Sequence, residues 1–163
     1  MSQDSKNIFF TRSTSVDVDD EALYLNIFKV TEENVNNPDS VLGLSINDPH
    51  YSVMHPTITE DGSRMYFASD MPGGFGGLDL YYCEIYGLYK QFFLSDTTAT
   101  RELIRLSRPV NLGNKINTEG NEVFPFHLDD KTLFFASDGR IGFGGLDIYM
   151  VNDYLDTNST DVR

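Results

Sequence analysis

The sequence predicts an all-β chain made of repeated units of short antiparallel strands, and three observations lead there. A sixteen-residue stretch, Tyr66-Phe-Ala-Ser-Asp-Met-Pro-Gly-Gly-Phe-Gly-Gly-Leu-Asp-Leu-Tyr81, returns 68 residues later as Phe134-Phe-Ala-Ser-Asp-Gly-Arg-Ile-Gly-Phe-Gly-Gly-Leu-Asp-Ile-Tyr149, identical at eleven positions. Short apolar runs alternate with turns rich in Asp, Gly and Ser, the spacing of strands and hairpins. Twelve Phe and nine Tyr, with no Trp, supply the aromatic side chains that favour a pleated, half-buried surface.

The repeat extends upstream of the sixteen residues. Ile46-Asn47 leads to Val53 and Pro56, and Ile116-Asn117 leads to Val123 and Pro125. The turn Glu60-Asp61-Gly62-Ser63 shortens to Asp129-Asp130-Lys131 in the later copy. A degenerate copy opens the chain. Asp4 to Phe10 reads like Asp61 to Phe67, and Leu25-Asn26-Ile27-Phe28 reads like Leu78 to Tyr81, with a polar, acidic insert from Ser13 to Glu21 where the glycine loop would be.

Within a full unit the reading runs strand by strand. Met54 to Thr59 is a first strand, Arg64 to Ser69 a second and Leu78 to Ile85 a third. A fourth falls at Gln91–Leu94 or Leu103–Leu106 in the middle unit and at Val41–Ile46 in the first. Thr98 to Leu106 alternatively reads as a turn or two of helix. Four antiparallel strands repeated at this spacing are the sequence form of a β-propeller blade. The expected architecture is therefore about three blades of an incomplete ring, at 1–47, 48–107 and 108–151, with an acidic tail at 152–163.

Charge and composition narrow the function classes. The net charge of −13 disfavours nucleic acid and anionic membrane surfaces as partners. No apolar run approaches the length of a membrane helix, so direct membrane insertion is not expected. Met1 to Asp4 is polar, with no apolar stretch behind it of signal-peptide length. Cys83 is the single cysteine, set in an apolar strand pattern where a buried, inert thiol is expected.

The recurring chemistry of the motif reads as structural. Gly76 and Gly77, like Gly144 and Gly145, precede a strand and not a helix, so they offer no helix N-terminus to a phosphate. They are expected to give positive φ in a tight connection, with Phe75 and Phe143 as plugs between blades. Asp70 with Asp79, and Asp138 with Asp147, flank each loop and are expected to accept its backbone N–H groups. The alternative is a calcium site built from these four acids and loop carbonyls. Phe67, Tyr81, Phe135 and Tyr149 complete the repeat-motif residues.

Catalytic arrangements are not apparent. His50, His55 and His127 fall at unrelated positions without metal-ligand spacing, and His55 and His127 are expected to hydrogen-bond within the first strands. Asp17, Asp19, Asp20 and Glu21 are dense but lack the glycine and terminal glutamate of an EF-hand. No Gly-x-Ser-x-Gly elbow occurs, and Asn158-Ser-Thr reads as an accidental sequon. No cofactor and no enzymatic activity are expected.

The pattern of Pro56, Asp61-Gly62, Tyr66-Phe-Ala-Ser-Asp70 and Gly77-Leu-Asp-Leu-Tyr81 resembles the TolB-like, WD-repeat-like propeller repeat. The stretches Phe67–Asp79 and Ile116–Pro125 resemble propellers of OmpA-family envelope proteins of Bacteroidetes, a group that includes a lipoprotein of the type IX secretion and gliding machinery. The usual Trp before Pro109-Val-Asn-Leu-Gly113 is absent, and an insert from about Leu88 to Ser107 precedes that segment. The helical repeats and peptidoglycan-binding domain of that family have no counterpart in the sequence.

The resemblance implies a non-catalytic scaffold that binds a protein or peptide in the periplasm or at the outer membrane. The acidic stretch Val16–Glu21 suggests a partner with a basic patch. The alternatives are a calcium- or carbohydrate-dependent binding module and the regulatory propeller fragment of a hydrolase. Open blades leave unpaired strand edges, so the ring is expected to be completed by a second copy, three blades plus three, or by the rest of a longer chain.

Overall fold

The structure, a computed structural model, describes residues 7–15, 23–93, 96–129, 131–154 and 162. It is all-β, with three antiparallel sheets and none of them closed. The first sheet holds β1 (Asn7–Ser15), β2 (Leu23–Thr31) and the two-residue β3 (Leu42–Gly43), in that order. The middle sheet holds β4 (Val53–Ile58), β5 (Arg64–Ser69), the long β6 (Asp79–Phe93) and β7 (Asp96–Leu106), with β8 (Val110–Asn111) on β6. The last sheet holds β9 (Glu122–His127), β10 (Thr132–Ser137) and β11 (Asp147–Asn152), with β10 central.

The three sheets share one register. Phe67 stands opposite Tyr81, Phe135 opposite Tyr149 and Phe10 opposite Phe28. In each pair the rings lie 5.9–6.0 Å apart between centroids, within the range of favourable aromatic contact. The degenerate N-terminal copy thus keeps the geometry of the motif after losing its glycine loop.

Successive side chains of a strand point to opposite faces, and the middle sheet is covered on both. Tyr66, Ala68 and Leu80 pack toward the last sheet with Ile116, Val123, Leu133 and Phe135. Met65, Phe67, Tyr81 and Cys83 pack toward the first sheet with Ile27, Leu44 and Ile46. Burial on both faces explains why Met65–Ala68 and Leu80–Cys83 lack the polar alternation of a one-sided sheet.

The inner strands carry a matched bulge. His55 and Pro56 together oppose Phe67, and Phe124 and Pro125 together oppose Phe135. His55 and Phe124 take positive φ, 56° and 52°. A proline cannot donate to a ladder, so a bulge is where a strand tolerates one. This register makes Val123 the counterpart of Met54 and not of Val53, whose place Glu122 takes. The one-residue offset corrects the sequence alignment.

The insert also departs from expectation. Residues 96–106 form strand and no helical turn, because β6 runs on past Ile85 and pairs with β7 as a hairpin. Leu103–Leu106 does lie in the fourth strand of the sheet's path, β7, paired with β6 beyond the motif. Residues 91–93 belong to β6 itself, and Leu94 lies outside the described residues. Beside the motif there is a further short strand. It is β8, whose Asn111 and Val110 pair with Tyr81 and Tyr82. In the first sheet β3 takes the same place, with Gly43 and Leu42 opposite Phe28 and Lys29.

Candidate functional site

The residues shared by the repeats meet at the junctions between sheets. At the second junction, the Asn117 carboxamide spans one residue of β6: its Oδ1 accepts from Leu80 N at 2.8 Å and its Nδ2 donates to Leu80 O at 3.0 Å. Asn47 does the same to Ile27 at the first junction, at 3.0 and 2.7 Å. A side-chain amide carries both a donor and an acceptor, so it can complete a strand edge as another strand would. The Ile-Asn dipeptide noticed in the sequence is this clamp.

A second pair of equivalent bonds flanks the clamp. Leu78 N donates to Asn121 Oδ1 and Leu25 N to Ser52 Oγ, both at 3.1 Å. The N–H groups of those two turn residues, Asn121 and Ser52, donate in turn to Asp138 and Asp70, each at 2.6 Å. Asp70 and Asp138 therefore anchor the turn that precedes the inner strand. They do not accept from the glycine loop, which corrects that part of the expectation.

Asp79 and Asp147 do serve their loops. Asp79 accepts from Phe75 N at 2.6 Å, Gly76 N at 3.2 Å and Asn111 Nδ2 at 2.7 Å. Asp147 accepts from Phe143 N at 2.7 Å and Gly144 N at 3.2 Å. The loop of the middle unit then docks onto the next turn, where Gly77 N donates to Gly120 O at 2.8 Å and Glu122 N donates to Leu78 O at 2.6 Å. A Cβ on Gly76 would run into the backbone of Thr118–Gly120, and one on Gly77 into Asn121. Close approach, and not positive φ, requires glycine at both.

The aromatic plugs are not found. Phe75 is 50% exposed and Phe143 104% exposed. Each loop bulges outward because its N–H groups turn in to an aspartate, which directs the intervening side chain away from the sheet. Cys83 is fully buried, as expected, and burial pushes its thiol up to about 12.

The histidines differ from one another. His50 sits at the surface with its Nδ1 2.9 Å from Asp48. His55 does not hydrogen-bond through its ring as expected: its Nδ1 is buried without a partner, and the ring stacks on Phe124 with centroids 3.9 Å apart. Burial lowers its pKa. His127 stacks on Tyr66 at 5.7 Å between centroids. Beside that stack a small pocket of about 200 Å³ is lined by Thr59, Asp61, Arg64, Tyr66, His127 and Tyr154.

Sequence reasoning missed this pocket. Arg64 pairs with Glu84 at 2.5 Å and donates to Tyr66 Oη at 3.2 Å, and the Tyr66 and Tyr154 hydroxyls lie 2.9 Å apart. Burial alone would lower the Arg64 pKa; its bonds to Tyr66 and Glu84 outweigh that and raise it. Asp61 is held down to about 2 by the Thr59 hydroxyl and then by Ser63. Also missed was Glu122, fully buried, which accepts from Thr118 N, the Thr118 hydroxyl and the Ser137 hydroxyl.

Among the described residues no three His, Cys, Asp or Glu side chains gather as a metal site. The acidic stretch Val16–Glu21 falls on residues 16–22, outside the described residues, as does the sequon at Asn158. No protein-family model matches the chain, and no curated protein matches it.

Proposed function

We propose that the chain is a run of three β-propeller blades that serves as a non-catalytic, protein-binding scaffold. In this reading the blades are β1–β2–β3, β4–β5–β6–β8 and β9–β10–β11. The observation that carries it is the use made of the recurrent polar residues. Asp79, Asn117, Asn121 and their counterparts are spent on backbone groups at the junctions, so the motif specifies the joining of units and not a reacting centre. The bulged inner strands add support, since His55 and Phe124 stack across neighbouring units where a propeller's central channel would lie.

The resemblance to envelope propellers suggests a periplasmic or outer-membrane setting. The net charge of −13 favours a partner with a basic patch, whose association would weaken with salt. The test is to immobilise the chain and challenge it with envelope proteins at low and high ionic strength. Retention of a basic protein that is released as salt rises supports the reading. If the chain holds no envelope protein under either condition, the reading is wrong.

A further inference from the structure

The last sheet repeats the docking surface of the middle sheet, and among the described residues only Val162 lies on its outer edge, opposite Val151. Leu80 is fully buried by the clamp of Asn117 and the face of the last sheet, whereas its counterpart Ile148 is 80% exposed. Ile148 lies opposite Ala136 as Leu80 lies opposite Ala68. The shared register directs its N–H and C=O to the outer edge, where no described residue takes the part of Asn117. The apolar face around it is open as well. Leu146 and Phe126 are exposed, and Phe126 lies against Phe134 with centroids 6.4 Å apart.

We propose that this edge and face bind a partner polypeptide by strand addition. The partner's recognition segment carries an apolar-Asn dipeptide, then a turn with Asn four or Ser five residues beyond that Asn, and then an inner strand. The second junction is the template for each contact. The partner's first Asn would bridge Ile148 N–H and C=O. Its second polar side chain would accept from Leu146 N–H, and a turn carbonyl would accept from Gly145 N–H. The following strand would cover Phe126, Phe134 and Ile148. Such edge addition joins main-chain hydrogen bonds to alternate side-chain pockets.

Two observations favour this occupant. The edge already accepts an antiparallel rung, Val162 opposite Val151, one position beyond Met150 and Tyr149, the counterparts of the two residues that β8 meets. A second copy of the chain is poorly equipped, because its two Ile-Asn turns are both engaged internally, Asn47 on Ile27 and Asn117 on Leu80. The inference rests on the reading of the chain as a repeat scaffold and names the partner that the exposed face of its last sheet would take.

The experiment titrates a synthetic peptide of residues 109–127 into the full chain, reading affinity by calorimetry and amide exchange by NMR. Saturable binding is expected, with new protection at Leu146 and Ile148. Replacing the peptide's Asn117 by Ala should weaken it about tenfold or more, as two hydrogen bonds are lost. Ile148→Asp in the protein should weaken it similarly without changing the melting temperature. No saturation at millimolar peptide, or binding indifferent to both substitutions, overturns the proposal. So does a solution mass twice 18.4 kDa with Ile148 protected before peptide is added, which would make a second copy the occupant. Failure of the scaffold reading would show separately, as no salt-sensitive partner in the capture experiment while the peptide still bound.

Discussion

Gly74-Phe-Gly-Gly-Leu-Asp79 and Gly142-Phe-Gly-Gly-Leu-Asp147 are the same six residues in two settings. In both, the aspartate gathers the N–H groups of the Phe and of the glycine after it. Beyond that they part. Gly77 is held by Gly120 of the next unit, while Gly144 and Gly145 adopt φ of 113° and 67° with no atom near enough to touch an added Cβ. Local hydrogen bonding is thus a property of the motif. Burial and the conformation of the last two glycines are properties of the neighbour.

The largest effect should come from the pair Leu80 and Ile148. Leu80→Ala should cost about 3 kcal/mol as a core truncation, while Ile148→Ala should stay within about 0.5 kcal/mol as a surface change. Chemical denaturation of the two variants checks this. Equal costs would break the comparison, because they would mean that the two positions share one environment.

Removing the clamp comes next. Asn117→Ala leaves the buried N–H of Leu80 unpaired and takes one of two donors from its C=O, which keeps Leu112 N, at a cost of about 2 kcal/mol. In a chain of this size that is a fall of roughly 4–8 °C in melting temperature. Asn47→Ala should act in the same direction at Ile27. A melting temperature unmoved by either substitution would show that the clamps do not join the units.

The loop aspartates give a smaller contrast. Asp79→Asn, losing a carboxylate that serves three donors at a buried site, should cost about 2 kcal/mol. Asp147→Asn, with two donors at a more exposed site, should cost under about 1 kcal/mol. Differential scanning calorimetry of the two resolves the difference; a costlier Asp147 variant would reverse the argument.

Acid sensitivity should be the smallest effect. The folded-state pKa of Asp61 is depressed to about 2, and those of Asp129 and Asp138 are lowered as well, by bonds to Lys131 N and to Asn121. Groups depressed on folding stabilise the protein above their unfolded values and lose that contribution as pH falls through the folded ones. The melting temperature should therefore drop between about pH 4 and pH 2, less steeply in Asp61→Asn. An unchanged slope in that variant would remove Asp61 from the account.

The repeat was legible because eleven identities fix an alignment, and the alignment carried the hairpins of β5–β6 and β10–β11 with it. The outer strand of the first unit was legible, since β3 falls within Val41–Ile46, but the short strand beside the motif in the middle unit was not. β8 is two residues long, and what holds the chain beside β6 is the Asn111 and Asn117 side chains, which leave no hydrophobic period to read. Residues 98–106 suggested helix because nothing within them reveals that β6 continues as their pairing partner. Phe75 and Phe143 were read as plugs from hydrophobicity alone, though the aspartate that folds each loop turns them outward. The Asn clamps were visible as a recurring Ile-Asn, and only the structure assigned them a task.

The central claim is that a neighbouring unit, and not the motif itself, buries the motif's edge. Native-state amide exchange at Leu80 and Ile148 in the full chain tests it most directly. The account predicts strong protection at Leu80, lost in Asn117→Ala, and exchange near the unprotected rate at Ile148. Comparable protection at both residues would contradict it.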